Sequence, residues 1–148
     1  MEINPLVLDE MFRLANIKKC VLYEALCIQG PEGVRGRYKK EWCEENPTRG
    51  YCFVVTHFVG KLLEDGDLPG GPRVVPYELE RRIPGEHESH WFLKWDDQLV
   101  DLTAEQFGKD YSTKLPPGSY CEGKPRRWRK NPHVLQLVDD YRRVRDGL

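Results

Sequence analysis

Apolar residues spaced three or four positions apart predict a helix, or two successive helices, over residues 4–26. Asn4 is a candidate N-cap, and Pro5 suits the first helical position. Residues 29–46 then carry three glycines and a proline among charged residues, which predicts a long surface loop. Loops of this length often carry function.

Two further amphipathic helices are predicted by the same spacing. The first follows Tyr51, is expected to stop at Asp65–Gly66, and should be buried on the side that carries Cys52. The second starts at Asn131–Pro132 and should close the core, with its arginines in solvent. The side chains of this C-terminal helix expected to face inward are Val134, Leu135, Val138, Tyr141 and Val144.

Between these helices lie segments with the alternation and the residue types of β-strands. Residues 73–80 include Pro76, so they predict an edge strand or a broken one. Residues 89–94 and 98–103 predict a hairpin closed by a turn at Asp96–Asp97. The order of elements predicts an α+β fold, in which a cysteine-bearing helix packs on a small antiparallel sheet.

The register of the predicted hairpin follows from the length of its turn. With a two-residue turn, Phe92 faces Asp101, so His90 and Asp101 become diagonal neighbours on one face of the sheet. A turn one residue longer or shorter would place them on opposite faces. A cooperative role for these two side chains therefore requires a turn with an even number of residues.

Composition and charge argue against polyanion binding, a membrane span and a disulfide framework. The chain of 148 residues, expected to form one domain over 1–148, has 23 basic and 24 acidic residues, so net charge gives no support to polyanion binding. The longest uncharged apolar run, residues 51–60, is far shorter than the ~20 residues of a membrane span, and no signal peptide is recognisable. Five cysteines without CxxC spacing favour a reducing compartment. We therefore expect a cytoplasmic protein without a membrane partner.

Cys52 is the candidate nucleophile, because it follows loop-forming residues and opens a predicted helix. A thiol in the first turn of a helix meets the positive end of the helix dipole and unpaired backbone N–H groups, and both favour the thiolate. His90 and Asp101 follow in the order of a general base and its orienting residue. The pattern predicts a cysteine-dependent hydrolase or acyltransferase acting on an amide or peptide bond, with a peptide, a protein or a small amide as substrate and no cofactor.

Several stretches resemble the YunG-like family of small bacterial and phage proteins, a family without an established activity. They are residues 46–52, His90-Trp91-Phe92, residues 100–107 and the closing segment 131–144. More distantly, the order Cys, His, Asp is similar to that of papain-like thiol enzymes in the wide sense, which include transglutaminase-like and bacterial cell-wall peptidase relatives. The resemblance implies a papain-like fold, this order of roles and this family of reactions.

The resemblance also concerns the residues just before the cysteine. The position preceding it, usually Gln in the family, is Tyr51 here, so no role for that side chain carries over. In papain-like enzymes an oxyanion is bound by the backbone N–H of the nucleophile and by a side-chain amide several residues upstream. Asn46 lies six residues before Cys52 and is the candidate for that amide.

The candidate residues also allow simpler interpretations. Cys52 is alternatively a small buried apolar residue, and Cys43, in a loop beside a tryptophan, is the rival nucleophile. His90 is alternatively a strand-end histidine bonded to a carbonyl, and His57 is an alternative base. Asp101 is also placed to cap a helical turn that begins near residue 103, a role compatible with orienting a histidine.

Two segments suggest binding functions instead. Residues 86–90 hold two histidines and two carboxylates, but His87 and His90 point to opposite faces of a strand, which argues against a metal site. Residues 124–130 alternate basic and aromatic character, as single-stranded nucleic-acid binders do. The plainer interpretation is a solvated loop with an arginine stacked on Trp128.

A non-catalytic module that holds a peptide or protein between helix and sheet is the further alternative, and no oligomeric state is predicted.

Overall fold

The computed structural model describes residues 19–34, 38–45, 47, 50–68, 71–83, 86–96, 98–103 and 117–147. Three helices lie in this part of the chain: α1 (Lys19–Gln29), α2 (Cys52–Glu64) and α3 (Pro132–Asp146). Shorter helical segments span Gly30–Gly33, Tyr38–Glu41, Gly71–Arg73 and Pro117–Glu122. None of the described helices is long and apolar enough to cross a membrane.

Four antiparallel strands form one sheet. They are β1 (Val74–Ile83), β2 (Glu86–Trp95), β3 (Gln98–Val100) and β4 (Lys124–Pro125), in the spatial order β3-β2-β1-β4. The predicted α+β class, with a cysteine-bearing helix and an antiparallel sheet, is confirmed at this level.

The hairpin of β2 and β3 has the predicted register. Trp95 faces Gln98, so two residues separate the strands. In the turn, Asp96 adopts a positive φ of 47°, its backbone N–H donates to the Arg73 carbonyl at 3.0 Å, and its carboxylate pairs with the Arg73 guanidinium. The turn is therefore held from outside the hairpin, which fixes its even length.

The two faces of the sheet belong to separate hydrophobic clusters. The larger cluster joins all three helices to one face through Leu93 and Val100. The smaller cluster covers the other face and consists of Leu79, Phe92, Leu99 and Tyr120. Because side chains alternate along a strand, Trp91 lies on the helix-covered face and His90 on the opposite one.

Pro76 predicted an edge strand or a broken one; β1 is continuous, so the broken strand is wrong, and β1 lies at the edge of the described sheet except where the two residues of β4 pair with it. Its ten residues pair with β2 along their whole length, whereas β4 pairs only with Tyr77 and Glu78. The Pro76 carbonyl accepts a hydrogen bond from the Arg126 backbone N–H at 2.9 Å, on the β4 side. The N and the C=O of a strand residue point the same way, so the missing N–H of this proline falls on the sparsely paired side and costs no bond to β2.

The N-terminal half of the chain differs in part from its prediction. α1 confirms helix over Lys19 to Leu26 and continues to Gln29; residues 4–18 lie outside the described residues. The predicted surface loop 29–46 instead contains two short helical segments and buries Gly30, Gly33 and Val34. These residues are covered because the Tyr51 ring packs directly against Gly33.

α2 has its predicted limits but not its predicted burial. Every residue from 54 to 60 is buried, because α2 lies between α3 and the sheet. Phe58 packs on Tyr141 of α3 at 5.1 Å between ring centroids, and Phe53 packs on Trp91 of β2 at 5.2 Å. Burial is therefore not confined to the side that carries Cys52.

α3 begins and ends as its sequence indicates. The Asn131 side chain accepts a hydrogen bond from the Val134 N–H at 2.8 Å, and Gly147 closes the helix with a φ of 77°. The predicted inward face is partly wrong: Leu135 is 41% exposed and Leu137 is buried in its place. At 3.6 residues per turn, position 137 continues the stripe through 134, 138 and 141, whereas 135 lies to one side of it.

Candidate active site

Cys52 is the first residue of α2. Gly50 turns the chain into the helix with a φ of 81°, a conformation that favours glycine. Tyr51 occupies the N-cap position but makes no capping hydrogen bond with its side chain. The Tyr51 hydroxyl binds elsewhere. It therefore does not cap the backbone N–H groups of the first turn of α2, which lie next to the thiol.

Tyr51 anchors the start of α2 to the end of α1. Its side chain is fully buried, and its hydroxyl donates to the Gly30 carbonyl oxygen. A Cβ at Gly33 would overlap the Tyr51 ring, so this close approach needs glycine. Burial raises the pKa of Tyr51, which keeps the hydroxyl a donor. The residue before the cysteine thus has a structural role.

The Cys52 thiol meets His90 around the edge of β2. Its sulfur lies 4.0 Å from the Ser89 carbonyl oxygen, and a hydrogen bond to Cys52 is among the contacts that raise the pKa of His90. β3 pairs with β2 only through Leu93, Lys94 and Trp95. Among the described residues, β3 therefore has no partner for Ser89 and His90 on this edge of β2, and the tip of α2 comes within 4.0 Å of the Ser89 carbonyl oxygen.

His90 and Asp101 form a buried pair on the opposite face of the sheet. His90 Nε2 lies 2.6 Å from Asp101 Oδ2, and their side chains are 6% and 0% exposed. Because Nε2 is directed to the carboxylate, Nδ1 is the nitrogen left for the thiol. Burial alone would lower the pKa of His90, but the carboxylate and the thiol raise it to about 10. The imidazole therefore carries a proton on both nitrogens at neutral pH.

Asp101 is held by three residues. Oδ2 also accepts a hydrogen bond from the Tyr120 hydroxyl at 2.6 Å, and Oδ1 accepts from the Thr103 N–H at 3.0 Å and from the Thr103 hydroxyl at 3.3 Å. Burial alone would raise the pKa of Asp101, but the charge and hydrogen bond of His90 and these donors hold it below its ordinary value. Asp101 thus contacts the histidine and caps a turn, the two roles that its sequence position allows.

A cavity of about 480 Å³ opens beside Cys52. Its walls come from the start of α2, the sheet, the Gly30–Gly33 segment and the start of α3. The sheet contributes Glu78, Ser89 and Trp91 to the lining. Phe53 of α2 and Arg129, which follows β4, lie next to them. A volume of this order suits a small ligand or a few residues of an extended chain.

Asn46 and Cys43 were the other candidates for the reaction outside α2. Asn46 falls outside the described residues. Cys43 is exposed and does not line the cavity. Cys27 is also an exposed residue. Partial desolvation of its thiol and the charges of three nearby glutamates raise the pKa of Cys27.

His57 is built into the interior. It is 1% exposed, its Nδ1 accepts a hydrogen bond from the Arg129 backbone N–H at 2.9 Å, and the rings of Phe53, Trp91 and Trp128 surround it. Burial, with a smaller effect of the Arg129 charge, lowers the pKa of His57 to about 4. The ring is therefore neutral at pH 7 and acts as an acceptor for the segment that follows β4.

The basic segment 124–130 packs onto the protein. Arg126 pairs with Glu78 at 3.0 Å, Lys130 pairs with Glu64, and Trp128 lies over Gly60 of α2. The guanidinium of Arg129 stacks on Trp91, 5.6 Å from the ring centroid, so the expected stacking of an arginine on Trp128 is wrong. Trp128 is unsuited to stack on a nucleic-acid base, because its ring is committed to the helix.

Residues 86–90 hold the histidines and carboxylates whose spacing argued against a metal site. The side chains of Glu86, His87 and Glu88 lie outside the described part of the molecule. Within the part that is described, no group of three or more His, Cys, Asp or Glu residues could hold a metal ion.

Sequence reasoning found Cys52, His90 and Asp101 but missed Tyr120 and Arg129. The Tyr120 contact with Asp101 joins residues 19 positions apart, so no short spacing indicates it. Arg129 belongs to the basic segment that was considered for nucleic-acid binding.

No protein-family model, curated protein or solved structure matches the chain.

Proposed function

We propose that the protein is a cysteine-dependent hydrolase or acyltransferase acting on an amide or peptide bond. One observation carries the proposal: the Cys52 thiol lies at the tip of α2, in a cavity and 4.0 Å from the Ser89 carbonyl oxygen, close enough to His90 to help raise its pKa. The buried His90 in turn has its Nε2 2.6 Å from Asp101. Nucleophile, proton carrier and orienting carboxylate are the three parts that acyl transfer needs. A papain-like fold and a YunG-like ancestry are part of the same proposal, supported by the cysteine-bearing helix, the antiparallel sheet and the order of the three residues.

In the first half of the reaction, the Cys52 thiolate attacks the carbonyl carbon of the amide. The imidazolium of His90 stabilises the thiolate by its charge, and it gives its Nδ1 proton to the leaving amine as the carbon–nitrogen bond breaks. A thioester on Cys52 and a neutral His90 remain. Asp101 holds Nε2 throughout and thereby keeps Nδ1 directed at the sulfur.

In the second half, water or a second amine attacks the thioester. His90 removes a proton from this nucleophile and returns to its imidazolium form, and the sulfur leaves as a thiolate. Water gives hydrolysis and an amine gives transfer. The developing oxyanion is bound by the backbone N–H of Cys52, with the Asn46 amide proposed as the second donor.

Alkylation by iodoacetamide at pH 7 tests the proposal. The other four cysteines, Cys20, Cys27, Cys43 and Cys121, are all exposed, whereas Cys52 is half-buried. Access alone would make Cys52 the slowest thiol. We expect it instead to react at least about tenfold faster than the other four, because the start of α2 and the charged His90 ring favour attack by its sulfur. Peptide mapping by mass spectrometry at timed intervals gives all five rates in one sample.

Two histidine variants provide the controls. His90→Ala should reduce the rate at Cys52 to that of the other thiols. His133→Ala, which removes an exposed histidine lining the same cavity, should leave the rate unchanged. If Cys52 alkylates most slowly in the unmodified protein, the catalytic proposal is wrong, and a non-catalytic module that holds a peptide in the cavity takes its place.

A further inference from the structure

Arg129 is the cation in the Cys52 cavity that has no carboxylate partner among the described residues. Two other cations of the segment are paired: Arg126 with Glu78, and Lys130 with Glu64. Arg129 itself is exposed and lines the cavity. Within the described part of the molecule, its guanidinium therefore adds a positive charge without a carboxylate partner to the cavity that holds the thiol.

Arg129 is also fixed in position at both ends. Its backbone N–H donates to His57 Nδ1 at 2.9 Å, and its guanidinium lies 5.6 Å from the centroid of the Trp91 ring. Trp91 is 3% exposed and is itself held by Phe53, at 5.2 Å between ring centroids. A side chain held in this way loses little conformational entropy when it binds a ligand.

The acidic residue of the cavity does not offset this charge. Glu78 lies opposite Trp91 in the sheet register, and its carboxylate is 3.0 Å from Arg126 Nε. That ion pair is close to neutral as a unit, so the net charge facing a ligand in the cavity is that of Arg129. A planar guanidinium binds a carboxylate through two parallel hydrogen bonds.

We propose that the substrate is an amide that carries a carboxylate close to the bond attacked, and that Arg129 binds this carboxylate. The inference rests on the function proposed above, because it assigns the substrate class of the same thiol. One guanidinium matches the single charge of a carboxylate. Its source is either an acidic side chain or a free α-carboxylate, since both present the same group.

A set of thiol-reactive probes with and without a carboxylate tests this inference. N-iodoacetyl-glycine carries an α-carboxylate, and the α-amide of N-iodoacetyl-glutamate carries a side-chain carboxylate. N-iodoacetyl-glycinamide is the neutral probe. We expect at least one carboxylate probe to alkylate Cys52 about threefold to fivefold faster than the neutral probe, the upper part of the range for an exposed ion pair. The faster of the two identifies the source of the carboxylate.

Two arginine variants make the comparison specific. Arg129→Gln keeps the backbone N–H that His57 accepts, and it should reduce the preference for the carboxylate probes to about onefold to twofold. Arg127→Gln removes an exposed cation from the same segment that does not line the cavity, and it should leave the preference unchanged. Thermal unfolding of both variants verifies that the fold is intact.

The outcomes separate the two proposals. If the neutral probe labels Cys52 faster than the exposed cysteines but the carboxylate probes show no advantage, or an advantage that survives Arg129→Gln, the substrate class is wrong and the thiol mechanism stands. If no probe favours Cys52 over the exposed cysteines, both proposals are wrong.

Discussion

Asp101 joins the candidate site to the fold at the scale of a single residue. One of its oxygens contacts His90 and Tyr120, and the other caps the turn at Thr103. A carboxylate with this many donors stays ionised when buried, since each hydrogen bond favours the charged form. The same group therefore stabilises the protein and sets the orientation of the imidazole.

Tyr120→Phe should destabilise the protein by about 1.5–3 kcal/mol, the range for a hydrogen bond to a charged group. The pKa of Asp101 should rise because one of the groups that lower it is lost. A depressed carboxyl pKa contributes stability that is present at neutral pH and lost as pH falls, so the acid unfolding midpoint should move to higher pH. Urea unfolding between pH 2 and 7 measures both effects.

Tyr77→Phe is the matched control for Tyr120→Phe. Tyr77 lies in the same cluster, half-buried and stacked on Phe92 at 5.7 Å, but its hydroxyl does not bind Asp101. Equal losses in the two variants would show that the Tyr120 hydroxyl contributes nothing through Asp101.

His57→Asn should flatten the acid side of the stability curve. The wild-type His57 has its pKa lowered to about 4 by burial and by the Arg129 charge. The unfolded chain binds this proton from about pH 6.5 downward and the folded protein does not, so stability is lost between pH 6.5 and 4, by on the order of 3 kcal/mol. Asparagine keeps an acceptor near the position of Nδ1 but does not titrate. Denaturant unfolding at several pH values should show a smaller slope over this window, and an unchanged slope would contradict the assignment.

At the scale of elements, the sequence predicts what depends on local periodicity. The register of β2 and β3 follows from alternation and a two-residue turn, and it correctly brings His90 and Asp101 to one face. The error at Leu135 departs from that periodicity, because 3.6 residues per turn place Leu137, and not Leu135, on the stripe with Val134 and Val138.

The crossing of α2 with the 124–130 segment depends on Gly60. A Cβ at this position would overlap the ring of Trp128. Gly60→Ala should therefore cost about 1–3 kcal/mol by overpacking, against about 1 kcal/mol that alanine contributes through its higher helix propensity. Chemical denaturation of the variant measures the balance.

A double-mutant cycle separates the two effects on α2. With Trp128→Ala in place, Gly60→Ala should cost far less than in the wild type, because the overlap is removed. The same cost in both backgrounds would locate the effect in the helix itself.

At the scale of the whole molecule, the two ends of α2 have different tasks. Its first residue is Cys52, and its far end, 13 residues on, leads into a charge network. There Asp67 pairs with Arg142 and with Arg145 of α3, the latter at 3.0 Å. At 1.5 Å per residue the network lies about 20 Å from the thiol, so it fastens the helices without touching the cavity.

Asp67→Asn should lower the free energy of unfolding by about 1 kcal/mol at low salt, because two arginines lose one acceptor charge. The difference should shrink in 1 M salt, where screening acts within about 3 Å. The iodoacetamide rate at Cys52 should not change. Unfolding at two salt concentrations and alkylation of the folded variant test these statements, and a slowed alkylation would show that the two ends of α2 are coupled.

The site was only partly predictable because it is assembled from distant segments. Cys52, His90 and Asp101 lie near elements whose type and order the sequence indicates, so their roles could be inferred. The packing of Tyr51 on Gly33 and the stacking of Arg129 on Trp91 depend on tertiary contacts between segments far apart in the chain. Those contacts determine how the thiol is positioned and what surrounds it.

Asp101 has more hydrogen-bond partners in the fold than Cys52, and this difference affects which of the two residues evolution can replace. Replacing Asp101 leaves buried donors at Tyr120 and Thr103 without an acceptor, whereas replacing Cys52 disturbs a half-buried side chain at a helix tip. Descendants released from selection for the reaction should therefore lose the sulfur first and keep the carboxylate. Under the proposed function, a relative with serine or alanine at the helix tip but an intact aspartate would have lost the reaction and kept the fold.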